Sequence, residues 1–281
     1  EVNPTWSDEK LFQEARRIVI AQIQHITYNE FVPIIVGKDN LRRYSLDLQT
    51  NGYDSRYDMN IDSSTLNVFA SVVGQFFLAL FPDHISLTDS FGNHKRDEPL
   101  GKVFNEPSFI YQRNRFDAVL RFLTQTPIMK PGLHLTPELR NAFKKGQFGH
   151  GIDMAAFLIQ MGRDHGIPSY LQWRRYCNLD NAQSFASMSN NVSKILGCCC
   201  SCGFFALGKA RLIRAGYHTR YLLQFLPSIN ASLLERFYES PEDVDLIVGG
   251  LAETPSRGAL LGPTLSCLFA EQMQKVGRIR I

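Results

Sequence analysis

Six cysteines and seven histidines are the residues of this chain best suited to metal or nucleophilic chemistry. Four of the cysteines, Cys198, Cys199, Cys200 and Cys202, crowd into one short stretch. A structural zinc site needs two separated pairs of ligands with a loop between them, and this stretch has no second pair. His218, the nearest downstream histidine, stands alone. The cluster therefore reads as a reactive or partly oxidised patch, or as a segment foreign to the native fold, ahead of a metal site. Cys177 and Cys267 each stand alone in a regular segment. Arg163-Asp164-His165 falls at the end of a helical pattern, where a carboxylate can pair a guanidinium bidentately and fix the following turn. His165 alone could serve as a base, but a hydrogen-bonded structural group at a helix C-terminus is the favoured reading. His84, His94, His134 and His150 fall in loops and read as solvated.

The elements that must position these residues are mostly helices. Hydrophobic residues make up 44% and charged residues 20% of the 281, which excludes general disorder. Thirty basic against 27 acidic side chains give a net charge of +3 without a concentrated basic face, so no nucleic-acid partner is expected. The longest apolar run, Leu66 to Leu80, is broken by Asn67, Ser71 and Gln75 and suits a buried helix better than a membrane span. The chain does not begin with Met and shows no signal peptide, so it reads as a mature product or a piece of a longer one.

Ser7 is placed to cap a helix whose apolar positions step at three and four to about Tyr28, stopping near Pro33. Ser63 or Ser64 caps the next, through Leu80. The stretches 37–60 and 83–107 read as irregular, with a turn at Asn51-Gly52. Helices are expected over 114–124, 137–145 and 153–166, the last closed by Gly166, with Pro168 opening another. Ser232 caps 233–238, and Pro263 opens a final helix through Gln274. The class is mainly α with long irregular connections, which are uncommon in a compact helical domain unless it wraps a site or a partner.

The motifs carried by these elements resemble the animal haem peroxidases, and most nearly their insect members. The run Leu11 to Val19, continued by Gln24 to Pro33 and Gly37, is similar to the helix before the proximal half of the family's haem pocket. Ile159 to Tyr170, with the Arg163-Asp164-His165-Gly166 core, is similar to its most specific signature, and Trp173 to Cys177 extends it. Asp243 to Glu253 and Gly262-Pro263-Thr264 follow in the family's order. The resemblance covers most of the chain and implies the C-terminal, proximal part of the peroxidase helical fold, as a single partial domain over 1–281. His25 is similar to a position inside the family's buried helix, so it reads as core.

The family binds haem b and calcium, and its distal histidine and arginine lie upstream of the segment opening at Asn3-Pro4-Thr5-Trp6. A peroxidase needs a strongly basic axial ligand on iron. Where the family has a Phe-Arg-(Phe/Tyr)-Gly-His run, this chain has Ser71-Val72-Val73-Gly74-Gln75, so Gln75 replaces the axial histidine and Val72 an arginine. Leu158 stands for the asparagine that orients the proximal ring, and Met161 for a further arginine. An amide oxygen is a poor ligand for ferric iron, and without propionates buried cations at 72 and 161 would be unpaired.

These replacements lead to the expectation of a pseudoenzyme. It would bind no haem, calcium or other cofactor and have no catalytic residues, acting as a binding or structural module for an unidentified protein partner. The alternative is a peroxidase fragment that needs a separate distal half. The family further implies secretion, which suits the sequons at Asn191 and Asn230, and a disulfide between Cys177 and Cys267. Residues of about 197–229 have no counterpart in the family and are expected to be an insertion.

Overall fold

The computed structural model describes residues 3–52, 55–143, 149–185, 187–188 and 231–277. In chain order the main helices are α1 (Asp8–Ile26), α2 (Val32–Arg43), α3 (Arg115–Gln125), α4 (Met154–Asp164), α5 (Tyr170–Tyr176), α6 (Leu246–Ala252) and α7 (Pro263–Gly277). One antiparallel hairpin pairs β1 (His84–Thr88) with β2 (His94–Pro99). The cysteine cluster, His218, the sequons at Asn191 and Asn230 and the expected insertion at 197–229 lie outside the described residues. The chain forms two compact units, residues 1–66 with 255–281, and residues 67–254.

In the first unit the Ser7 hydroxyl accepts from the Lys10 amide and caps α1 as expected. The helix does not stop near Pro33. A single π-helical turn, Thr27–Phe31, carries it into α2. Within α2 the backbone leaves helical geometry at Gly37, at φ 77°. A side chain there would meet Ala259 Cβ at 3.1 Å, so close passage of the 255–261 segment demands glycine. Leu260 and Leu261 amides reach back to the Ile34 and Ile35 carbonyls exposed by this break. The core here joins Val32, Ile35, Val36 and Leu41 of α2 with Leu265 and Leu268 of α7, all buried. Tyr28 donates to the Met273 carbonyl at 2.9 Å, and burial pushes its hydroxyl up to about 12.

In the second unit the helix expected from Ser63 or Ser64 to Leu80 is split. Asn67–Ser71 is α-helical, Val73–Leu80 is a 3₁₀ helix, and Val72 between them sits at φ −131°, ψ −61°. The β-branched pair Val72-Val73 before Gly74 is poor helix material, and the Ser71 hydroxyl bonds back to the Asn67 carbonyl. The hairpin was not expected, because β2 (His-Lys-Arg-Asp-Glu-Pro) has no apolar alternation; its first four residues are exposed. The 137–145 helix shrinks to a π-helical turn, Glu138–Ala142. Asp153 caps α4 through the Ala155 and Ala156 amides, and Gly166 closes it at φ 64°. The next helix opens at Tyr170 rather than Pro168, with Ser169 at the cap position. No helix among the described residues is long and apolar enough to cross a membrane.

Candidate functional site

Helix α4 and the split segment 67–80 carry the four positions expected to differ from the family's haem pocket, and both belong to the second unit. Val72 is 2% exposed, and its Cγ2 lies 3.5 Å from where a side chain on Gly162 of α4 would begin. Leu158 is buried in a cluster with Leu100, Leu135, Leu139, Phe143 and Met154, and Met161 packs against the same cluster. Gln75 turns its amide nitrogen onto the carbonyl of Ala70, at 2.9 Å, so the side chain is tied back across the break at Val72. None of the four has a buried polar atom without a partner.

The end of α4 is held by polar contacts instead. Arg163 forms the expected bidentate pair, but with Asp245, at 2.9 and 2.7 Å, and not with its neighbour Asp164. That hydrogen-bonded pairing raises the guanidinium pKa. Asp164 accepts from Gln160 one turn back. The Tyr238 hydroxyl donates to the second Asp245 oxygen at 2.8 Å. His165 pairs its Nδ1 with the Asn67 side-chain oxygen at 2.8 Å, and the Asn67 amide returns a bond to the His165 carbonyl. Asp245 lies 82 residues from Arg163 and Asn67 lies 98 residues from His165, so the motif run itself gave no sign of these two pairings.

Further along, a buried set went unassigned in the sequence although its members lie within the quoted motifs. The Arg174 guanidinium donates to Glu253 Oε1 at 2.6 Å, and the Tyr170 hydroxyl donates to the same oxygen at 2.8 Å. Arg174 Nε donates to the Asp180 carbonyl. Burial, and then the Glu253 charge, push the Tyr170 hydroxyl well above its ordinary value. Gly249 of α6 sits directly on this tyrosine, for a side chain there would fall 2.2 Å from the ring. Tyr170 also donates its backbone amide to the Val244 carbonyl. Arg163 to Arg174 are thereby clamped onto Asp245 to Glu253.

Cys177 and Cys267 are both buried and both disulfide-bonded, and the Tyr44 hydroxyl donates to Cys267 Sγ. His25 is exposed on α1 and is not core, for no residue of that helix is buried. His84 and His94 sit on the hairpin and pair with Asp83 and Asp97. His134 is half-buried, and desolvation lowers its pKa. Among the described residues no group of three or more His, Cys, Asp or Glu is placed to hold a metal ion.

The positions at 72, 75, 158 and 161 and the clamp from Arg163 to Glu253 thus belong to one unit, and comparison with known proteins identifies the family. The animal haem peroxidase model matches residues 1–196 and 214–278, and the chain belongs to that family. It is 30% identical to chorion peroxidase of Drosophila melanogaster and 32% identical to mouse eosinophil peroxidase, each over 98% of this chain. It spans 29% and 33% of their lengths, about a third of each. Among solved structures it is similar to peroxidase A from Dictyostelium discoideum, with a TM-score of 0.72 and 26% identity, over 98% of this chain and 44% of the other.

Proposed function

We propose that the chain is a peroxidase homologue that has lost haem binding and catalysis and serves as a binding or structural module. The observation that carries this is Gln75. Its amide is engaged with the Ala70 carbonyl across the break at Val72, where the family needs a basic imidazole free to meet iron. The residues present do not fit haem. Leu158 and Met161 complete an apolar cluster that offers neither a partner for a proximal ring nor a cation for a propionate. Haemin titration tests the reading: no sharp Soret band should form at one equivalent, and Gln75→His alone should not restore one. A stoichiometric Soret shift in the wild-type chain overturns it. The second reading is a peroxidase chain that needs a separate distal half.

The same proposal includes secretion, supported by disulfide-bonded cysteines in a family with a peroxidase named for the chorion among its members. Cys177 and Cys267 are proposed to pair with each other. Such a bridge closes a loop of about 90 residues and contributes roughly 4 kcal/mol by chain entropy. Peptide mapping without reduction should recover the Cys177–Cys267 peptide pair. Either cysteine joined to Cys198, Cys199, Cys200 or Cys202 defeats the pairing.

A further inference from the structure

Asn51 is the one asparagine of this chain that a glycine follows. Gly52 stands at φ 81°, and a side chain built on it would meet nothing within 4 Å. Both residues are exposed. The backbone nitrogen of Gly52 is therefore unshielded by any Cβ, and the turn has room to bend towards it. Several other asparagines are held or blocked. Asn3 precedes Pro4, whose nitrogen carries no hydrogen. The Asn40 amide donates to the Val36 carbonyl inside α2, and those of Asn60 and Asn93 donate to Asp58 and Asp89. Asn67 is engaged with His165.

We infer that Asn51 is a site of spontaneous deamidation, where the chain acquires an aspartate or isoaspartate mark and one further negative charge. Asparagine is a thermolabile residue, and here its amide lies next to an unhindered nitrogen. The reaction needs only water. The Gly52 nitrogen gives up its proton and attacks Asn51 Cγ. That C–N bond forms as the Cγ–Nδ2 bond breaks, and the side-chain nitrogen leaves as ammonia with the proton. Water then opens the cyclic imide. Cleavage at the side-chain carbonyl gives aspartate, and cleavage at the backbone carbonyl gives isoaspartate, with one extra methylene in the main chain. The fold confines the change. The Arg56 guanidinium donates to the Ser45 and Asp47 carbonyls, so the chain is tied on both sides of residue 51. The lengthened main chain is taken up in this exposed loop, and the apolar core of α2 and α7 stays as it is. The inference depends on neither haem nor secretion.

The test is incubation of the purified chain in mildly alkaline buffer, sampled over days. One more acidic species should build up on isoelectric focusing, and peptide mapping should place the new acid at residue 51. A methyltransferase specific for isoaspartate should label the same peptide. Asn51→Gln, whose longer side chain closes the ring far more slowly, should abolish that species, and Gly52→Ala should slow its formation several-fold. The aged chain should unfold at the same temperature as the fresh one. A lowered midpoint overturns the confinement to the loop. Three results overturn the site itself. One is faster conversion at another asparagine. Another is conversion at residue 51 only after denaturation. The last is a Gly52→Ala chain that converts as fast as wild type.

Discussion

In the middle of α4, Leu158 and Met161 face an apolar cluster, and Val72 lies beside Gly162 on the same helix. Half a turn further, Arg163 and His165 face charge and amide groups, and the next helix sinks Arg174 and Tyr170 onto Glu253. One short stretch of chain thus holds two kinds of packing side by side. The cluster is non-directional and tolerates any apolar residue of suitable volume. The clamp is directional, for each donor needs an acceptor at the right distance and angle, and losing a shared acceptor such as Glu253 weakens several contacts together. Substitutions can accumulate in the first without unfolding the second. On the proposed reading, the family's polar residues are gone from the apolar side and retained in the clamp.

Breaking the clamp at its buried end should have the largest effect. Glu253→Leu removes the common acceptor of Arg174 and Tyr170, whose side chains are enclosed. The guanidinium keeps its bond to the Asp180 carbonyl but loses its carboxylate partner, which should cost about 3–5 kcal/mol, read as a fall in the denaturant midpoint at unchanged slope. The apolar side should respond next. Leu158→Ala opens a cavity in the six-residue cluster and should cost about 2–3 kcal/mol. Leu158→Asn, which introduces the amide that the resemblance implies for this position, should do no better than alanine in an apolar cluster. An asparagine variant as stable as wild type would mean that a polar pocket persists there, and the contrast between the two regions would collapse.

Local signals made the ends of α4 and α7 readable: Asp153, Gly166 and Pro263 act within a few residues of themselves. The helix break at Val72 was not read, because apolar spacing over 66–80 satisfies an α-helix as well as a 3₁₀ one, and only packing decides between them. The hairpin escaped because its second strand is charged and exposed, leaving no alternation to detect. Of the site, the residue types at 72, 75, 158 and 161 were legible from family motifs. Their surroundings were not, and neither was Asp245, which lies 82 residues beyond Arg163. Bidentate pairing was foreseen from the guanidinium's geometry, whereas the choice of Asp245 over adjacent Asp164 belongs to tertiary structure.

The exposed end of the clamp should show the smallest effect and sharpen the contrast with its buried end. The Arg163 side chain is 57% exposed and that of Asp245 14%, so solvent screens the pair and Arg163→Ala should cost less than about 1 kcal/mol. Tyr238 gives this region a separate reporter. Burial first, then the hydrogen bond to the Asp245 carboxylate, raise its pKa above the ordinary tyrosine value. A raised folded-state pKa means that the neutral phenol is favoured in the native chain. Its stabilising contribution is therefore complete below the unfolded value of about 10 and is lost as pH rises through the folded one. The alkaline phenolate transition at Tyr238, taken as the absorbance difference from Tyr238→Phe, should lie above that of free tyrosine. In Asp245→Asn it should fall part of the way back, because burial remains when the charge is removed. An unmoved midpoint would show that Asp245 does not hold this hydroxyl, and the polar network would then end at Arg163.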